Sequence, residues 1–480
     1  IANDVLVVKE ALELMYNEGH SKLTIGSCCL SEYKSIIGKK EYNNLFPNLY
    51  EQEIDFNTFG FNSAGDYIRK SYRGGWCYLV KGAENKIKED GTTADVNSLY
   101  PSMMHSESGN RYPVGAPTFW VGDYIPDKAY SEYKYFFVRI KTSFIIKKGY
   151  LPFIQIKNNI IYKSTESLET SEYYDKTDGK YYNYYTDKLG ITHDTRVEMT
   201  LTQTDFKLIL EHYDLIDFEI IDGCYFDTAI GIFDDYINHY RKIKIESKEK
   251  EKRNLAKLFL NNLYGKMATS PDSAFKVAYV KEDGSLGYKT LLGEGKKPGY
   301  IPVGSAITSY ARNFTIRAAQ KNYHGPDKRG FIYADTDSIH CDLKPEEIVG
   351  IKVHPKDFCC WKLESCWDKA IFVRQKTYIE HITHEDLEPI DKPYYNVKCA
   401  GMPEKCKELF LYSMGDEETI KALDKKHSEL GIKFTEDEKK FISKKRTISD
   451  FKRGLVVPGK LLPKNIPGGV LLCDTSYEMR

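Results

Sequence analysis

Residues 331–340, Phe-Ile-Tyr-Ala-Asp-Thr-Asp-Ser-Ile-His, constrain this chain more than any other stretch. Aromatic and β-branched residues flank the centre on both sides and favour strands, while Asp-Thr-Asp-Ser reads as the tight connection between them. Side chains alternate faces along a strand, so Asp335 and Asp337 are expected to point the same way. Two carboxylates on one face of a buried hairpin repel unless a cation lies beside them. Hard oxygen ligands at that density suit Mg²⁺. An isolated Asp-x-Asp also fits a plain polar hairpin tip, so the metal reading needs a third carboxylate from elsewhere.

Residues 91–104 supply one. Ala94–Val96 reads as a strand end, and Pro101 sits where a first helical turn accepts it, so Asp95 stands at the junction of strand and helix. Further on, 233–265 reads as a helical pair whose second member is expected to stop at Gly265. Eight Lys/Arg and three Glu fall between Arg241 and Lys257. Lys257, Asn261 and Tyr264 follow at i, i+4 and i+7 and share one face. A solvated charged helix explains the charge but not the Asn and Tyr on the same stripe. The stretch Val373–Glu380 reads as a strand with Lys376 and Tyr378 on one face.

Composition narrows the class. With 480 residues the chain is long enough for roughly three domain-sized units. No apolar run is long enough to span a membrane. The net charge of +0 hides local patches, among them a basic tail from Lys439 to Arg453. Eleven cysteines, scattered and without zinc spacing, read as free thiols of a reducing compartment. The chain opens without Met inside a helical apolar pattern broken at Gly19, and so reads as the later part of a longer protein. Between 105 and 230, and again over 270–300, short strands and Gly/Lys/Tyr-rich turns read as insertions.

Asp95 and Asp337, with Asp335 adjacent, meet the requirement of a two-metal phosphoryl-transfer site. Two Mg²⁺ ions roughly 4 Å apart activate an attacking hydroxyl and stabilise the leaving group. Lys244 and Lys257 supply cations for a triphosphate. Tyr100, five residues past Asp95, is placed to lie against a sugar and exclude a 2′-hydroxyl.

The order of these segments resembles family B DNA polymerases. Asp95-Val-Asn-Ser-Leu-Tyr-Pro101 looks like their first palm motif and Tyr333-Ala-Asp-Thr-Asp-Ser338 like the second. Lys257-Leu-Phe-Leu-Asn-Asn-Leu-Tyr-Gly265 looks like the fingers motif, with Asn262 where Ser is more usual, and Lys376-Thr-Tyr378 like the primer-binding motif. Tyr72-Arg-Gly-Gly75 is similar to the link between exonuclease and polymerase modules in the protein-primed phage branch. Val397-Lys-Cys-Ala-Gly-Met402 and Pro467-Gly-Gly-Val470 look like its thumb region.

The resemblance implies an α+β right hand: an antiparallel-sheet palm, helical fingers, a small β-containing thumb and two insertions. It divides the chain into 1–70 (an exonuclease remnant and connection), 71–104 (palm), 105–232 (a terminal-protein-binding type of insertion) and 233–269 (fingers). A strand-displacement type of insertion over 270–300, the second part of the palm over 301–398 and the thumb over 399–480 follow. It implies that Asp95, Asp337 and the Val96 carbonyl hold Mg²⁺, replaceable by Mn²⁺, with Asp335 a secondary acidic partner. Lys244, Lys257, Val96, Tyr100, Asn261 and Tyr264 would meet the incoming dNTP. Ser98, Gly265, Thr308, Arg312, Tyr333, Lys376, Tyr378 and Lys398 would meet primer-template DNA. The implied protein is a monomer in the host cytoplasm, with a terminal protein as a partner and no membrane contact.

Two features depart from that pattern. The segment from Met402 to about 440 is longer than a compact thumb needs and has no assigned role. Ile1-Ala-Asn-Asp4 looks like the last exonuclease motif, but the upstream carboxylates are absent from this chain, so no proofreading is expected of it. Two rivals stand beside this reading. A polymerase using RNA or ribonucleotides conflicts with Tyr100 and with Asp-Thr-Asp in place of a bare Asp-Asp. A catalytically idle DNA-binding scaffold conflicts with the presence of all three carboxylates.

Overall fold

The computed structural model of the chain describes residues 2–156, 161–162, 166–271, 275–291, 297–415, 417–429, 431 and 433–480. Asp4 lies on the helix Ala2–Asn17, and its side chain falls outside the described residues. At the centre is a seven-stranded sheet. Its order is Cys77–Leu79, Phe331–Asp335, Ser338–Cys341, Ile87–Val96, Trp361–Arg374, Thr377–Glu385 and Glu388–Cys399. Every neighbouring pair is antiparallel. The strands that carry the sequence motifs are therefore adjacent in space although far apart along the chain.

The long helix Ile301–Asn322 backs this sheet, burying Ala311, Ile316 and Ala319 with Ala334 and Ile339. One face of the sheet is thus apolar and covered while the other is free to carry polar groups, an α+β arrangement. Gly91 is needed here for space: a Cβ at that position would fall 2.0–2.5 Å from the Trp367 indole of the next strand.

A second, four-stranded sheet is built within 105–232, in the order Tyr112–Val121, Tyr213–Ala229, Lys134–Ile146 and Val197–Thr202. Its Phe136, Val138 and Ile140 join the core of the central sheet. The helices Asp234–Glu246 and Lys250–Met267 pack on Ile25–Ile37 around Phe259, Tyr236 and Tyr33. A hairpin, Phe275–Val280 with Leu286–Leu291, forms within the stretch expected to be the second insertion. The C-terminal part has its own core, in which Leu409, Phe410, Phe451 and Val457 pack on Ile371 and Ile379 of the central sheet.

Three local expectations change. The second helix of the basic pair does not stop at Gly265 but runs to Met267, because an exposed glycine on the solvent side weakens a helix without ending it. Val373–Glu380 is not one strand: Trp361–Arg374 ends, Gln375 and Lys376 turn, and Thr377–Glu385 begins, with Lys376 at φ 57°. The segment 403–440, without a role in the sequence, forms the helices Glu404–Met414, Glu417–Glu429 and Glu436–Ile442.

Candidate active site

Register brings the carboxylates together. Ser338 pairs with Asp95, and the Val96 N–H donates to the Asp337 carbonyl at 2.8 Å. Asp95, Asp335 and Asp337 open onto one cavity of about 940 Å³, whose wall also carries Glu364, Lys376 and Tyr378. The expected strand alternation through Asp335 and Asp337 does not hold. Phe331–Asp335 ends at the first aspartate, Thr336 takes φ 63°, and the Asp337 N–H donates to the Asp335 carbonyl at 2.7 Å. A tight turn, not a shared strand face, delivers both acids to the cavity.

Electrostatics separates the three acids. Burial, then the charges of Asp337 and Glu364, push the Asp95 carboxyl up to about 8, against the pull of Lys257 and Lys362. Asp337 is also raised, by burial first and then by Asp335 and Glu364. Asp335 has a cation of its own, since Lys376 Nζ donates to its Oδ1 at 2.7 Å. Partly buried acids whose charged forms are disfavoured are the condition that a divalent cation relieves. Among the described residues no three His, Cys, Asp or Glu side chains cluster as a cage for an ion. Mg²⁺ needs none, because it keeps waters and takes substrate phosphate oxygens beside one or two carboxylates. Asp95 and Asp337 are donors of that kind, whereas Val96, expected to contribute its carbonyl, is buried and does not line the cavity.

Among the described residues the basic helices supply none that lines this cavity, but they come near Asp95, which both Lys244 and Lys257 influence electrostatically. Lys244 Nζ donates to Ser98 Oγ at 2.8 Å, beside the start of the helix Leu99–Met104. Burial and the neighbouring Lys257 lower the Lys244 pKa, and Asp95 opposes them. Lys257 and Asn261 are exposed, while Tyr264, on the same stripe, stacks on Tyr100 with ring centroids 4.1 Å apart. Lys398 pairs in register with Tyr378 and borders the same cavity.

Other residues expected at the DNA are turned inward. Tyr333 is fully buried; its hydroxyl accepts the Lys376 N–H at 2.8 Å and lies 3.3 Å from Asp335 Oδ2. Thr308 is buried, with its hydroxyl donating to its own helix at Gly304 and Ser305. Arg312 is buried as well, and donates to the Arg73 and Gly74 carbonyls at 2.7 and 2.8 Å and to Asp205 at 2.6 Å. Of these, Arg312 holds the turn before Gly75 and Tyr333 meets Lys376 and Asp335, while the Thr308 hydroxyl bonds within its own helix. Gly265 is exposed and carries no side chain to contribute.

Sequence reasoning missed Glu364, which alternates with Lys362 on an otherwise unremarkable strand; that alternation was the only available signal. It also missed the close approach of Gly75 to Thr336, where an added Cβ would lie 2.5–3.0 Å from the threonine side chain. The Gly-Gly pair hinted at such an approach but not at its target.

Residues 1–348 match the family described as DNA polymerase type B, organellar and viral. The DNA polymerase of Bacillus phage Nf is 35% identical over 490 residues, taking in 100% of this chain and 72% of that protein. That of Streptococcus phage Cp-1 is 30% identical over 480 residues, covering 99% and 70%. A solved structure of phi29 DNA polymerase complexed with primer-template DNA and incoming nucleotide substrates has a TM-score of 0.75 at 33% identity, covering 100% of this chain and 71% of that one.

Proposed function

Because this chain belongs to the type B DNA polymerases of organelles and viruses, we propose that its template-directed DNA synthesis runs by metal-assisted nucleotidyl transfer at Asp95 and Asp337. The observation that carries this reading is the convergence of those two acids in one cavity, both raised first by burial, Asp95 further by Asp337 and Glu364 and Asp337 further by Asp335 and Glu364, with Lys257 near enough to pull on Asp95. Bound Mg²⁺, or Mn²⁺ in its place, would neutralise charge on the attacking 3′-hydroxyl and the leaving pyrophosphate. Asp95 and Asp337, with the Val96 carbonyl, would hold it.

The chain's own groups do the rest. Lys244 and Lys257 bind the triphosphate, with Lys244 exchanging its Ser98 partner for phosphate oxygen. The stacked Tyr100 and Tyr264 part to receive the base and sugar, and the Tyr100 ring excludes a 2′-hydroxyl. Asn261 faces the templating pair. Lys376, Tyr378 and Lys398 line the primer side, and Asp335 fixes the Lys376 ammonium there.

The insertions extend this to protein-primed, processive synthesis with strand displacement. A second cavity of about 1700 Å³ lies between the tyrosine-rich hairpins of the first insertion, the Gln375–Lys376 turn and Arg453. It suits upstream duplex, or a terminal protein whose hydroxyl primes the first nucleotide. Among the described residues no helix is long and apolar enough to cross a membrane. The working form is taken as a monomer in the host cytoplasm, in keeping with the phage sources of the relatives.

The test is extension of a primed template with dNTPs and Mg²⁺ by the parent and by Asp337→Asn. The variant is expected to lose roughly a thousand-fold or more in rate, the order seen when one member of a concerted site is removed, while still binding DNA. Synthesis within tenfold of the parent would remove Asp337 from the centre of the reaction.

A further inference from the structure

Below the carboxylates, the same face of the sheet carries a second row of polar groups. Alternation sets it: His340 lies two residues past Ser338, Thr93 two before Asp95, Glu380 two past Tyr378 and Asn396 two before Lys398. Register then aligns the row, with His340 opposite Thr93 and Glu380 opposite Asn396. His340 and Glu380 are each 1% exposed. His340 Nδ1 stands 2.7 Å from Glu380 Oε1, which also accepts the Thr93 hydroxyl at 3.0 Å. Asn396 Nδ2 donates to the other carboxylate oxygen at 3.1 Å, and Trp367 Nε1 donates to Thr93 Oγ1 at 3.2 Å. On the opposite side, His340 Nε2 lies 3.3 Å from Ser338 Oγ, next to Asp337.

Burying a histidine and a carboxylate is costly, and each is tolerated only because the other and its neighbours satisfy it. Satisfied networks of this kind fix one geometry at the expense of alternatives. This one links the hairpin that bears Asp337, the strand that bears Asp95 and the hairpin that bears Lys376 and Tyr378. Packing alone does not require it, since an apolar pair of similar volume would fill the same space.

We infer that His340 and Glu380 are positioning residues that lock the spacing between the Asp95/Asp337 carboxylates and the Lys376–Tyr378 primer side. The inference rests on the reading of Asp95 and Asp337 given above. Each is 1% exposed in the wall of the cavity, and its proposed role runs through the neighbours it holds. Loosening the pair lets the two hairpins slide relative to each other, so the 3′-hydroxyl and the metal-binding acids lose alignment while DNA and nucleotide still bind.

Glu380→Gln and His340→Gln, singly and together, test this through single-turnover nucleotide addition at saturating primer-template and dNTP. Each single variant is expected to lose tenfold or more in rate and to need several-fold more Mg²⁺ for half-maximal rate. The double variant should be no worse than the poorer single. Primer-template affinity and melting temperature should stay near the parent's. Asn396→Ala, at the half-exposed end of the network, should show the same pattern in weaker form, and serves if the buried variants fold poorly. Parent-like rate and Mg²⁺ dependence in Glu380→Gln would overturn the inference. So would a rate loss matched by equal losses in melting temperature and DNA affinity, which would make the pair merely structural. Failure of the underlying site reading is separate: it would appear as an active Asp337→Asn, whatever the network variants do.

Discussion

Thr336 is the point at which three distant segments of the chain meet. Its N–H donates to the Trp76 carbonyl at 2.8 Å, its own carbonyl accepts the Thr315 hydroxyl at 2.8 Å, and Gly75 lies against its side chain. Arg312 holds the turn before Gly75 by two carbonyls. The left-handed conformation of Thr336 is unfavourable for a β-branched residue and persists because these neighbours enforce it. Gly75→Ala would put a methyl group into Thr336 with rigid backbone on both sides. Nucleotide addition is expected to fall about tenfold to a hundredfold, in line with small displacements of reacting groups, with the fold and DNA binding retained. A variant with parent-like rate would show that the turn tolerates the shift. The acids themselves make a second prediction. In the absence of divalent ions burial and neighbouring acids disfavour the charged forms of Asp95 and Asp337, which a bound cation would stabilise. Mg²⁺ should therefore raise the parent's melting temperature at pH 8 by a few degrees, and Asp95→Asn should abolish most of that gain.

At the scale of elements, the helix Glu404–Met414 and its neighbour Glu417–Glu429 are joined by a charged cluster. Glu408 accepts from His427 Nε2 at 2.8 Å and from Lys426. Burial pushes the Glu408 pKa up, but the hydrogen bonds from Lys426 and His427 outweigh it, and the net shift is below the ordinary 4.5. A carboxyl lowered on folding contributes stability that is present above its unfolded pKa and is lost as pH falls through the folded value. Glu408→Gln should therefore lower the melting temperature by a few degrees near pH 7, and the gap should close progressively below about pH 4.5. An equal gap at pH 3.5 and pH 7 would assign the loss to packing. The same elements show what the sequence reveals and what it hides. The stripe of Lys257, Asn261 and Tyr264 was legible because a helix repeats every 3.6 residues, and Asp95 was legible because a strand-to-helix junction has its own residue preferences. The connection at Asp-Thr-Asp-Ser was legible but the left-handed conformation of Thr336 was not, and the turn at Lys376 was hidden inside a segment that reads as one strand, because non-glycine residues with positive φ leave no mark in the sequence. Thr308 and Arg312 show the same limit, since a polar residue on a mostly buried helix satisfies itself through contacts fixed only by the folded chain.

At the scale of the whole molecule, the two hairpins farthest apart in type meet at their tips. The Gly468 N–H donates to the Gly284 carbonyl at 2.8 Å, with Pro467 in van der Waals reach of Gly284. One strand pair belongs to the second insertion and the other, Val456–Ile466 with Gly469–Glu478, packs on the C-terminal core. The contact ties the two hairpins together at their tips. A single backbone hydrogen bond contributes roughly 1 kcal/mol net, enough to favour closure and little enough to open for a strand of DNA. Under the proposed function this contact would help to retain template and primer between nucleotide additions and to part a downstream duplex. Replacing residues 276–290 by a short Gly/Ser linker removes one side of the contact without touching the carboxylates. Extension on a single-stranded template should persist within a few-fold, product length per binding event should shorten markedly, and synthesis should stop at a downstream blocking strand. Unimpaired passage through that strand would place displacement elsewhere, and loss of all synthesis would mean that the hairpin also supports the fingers helices on which Lys257 stands.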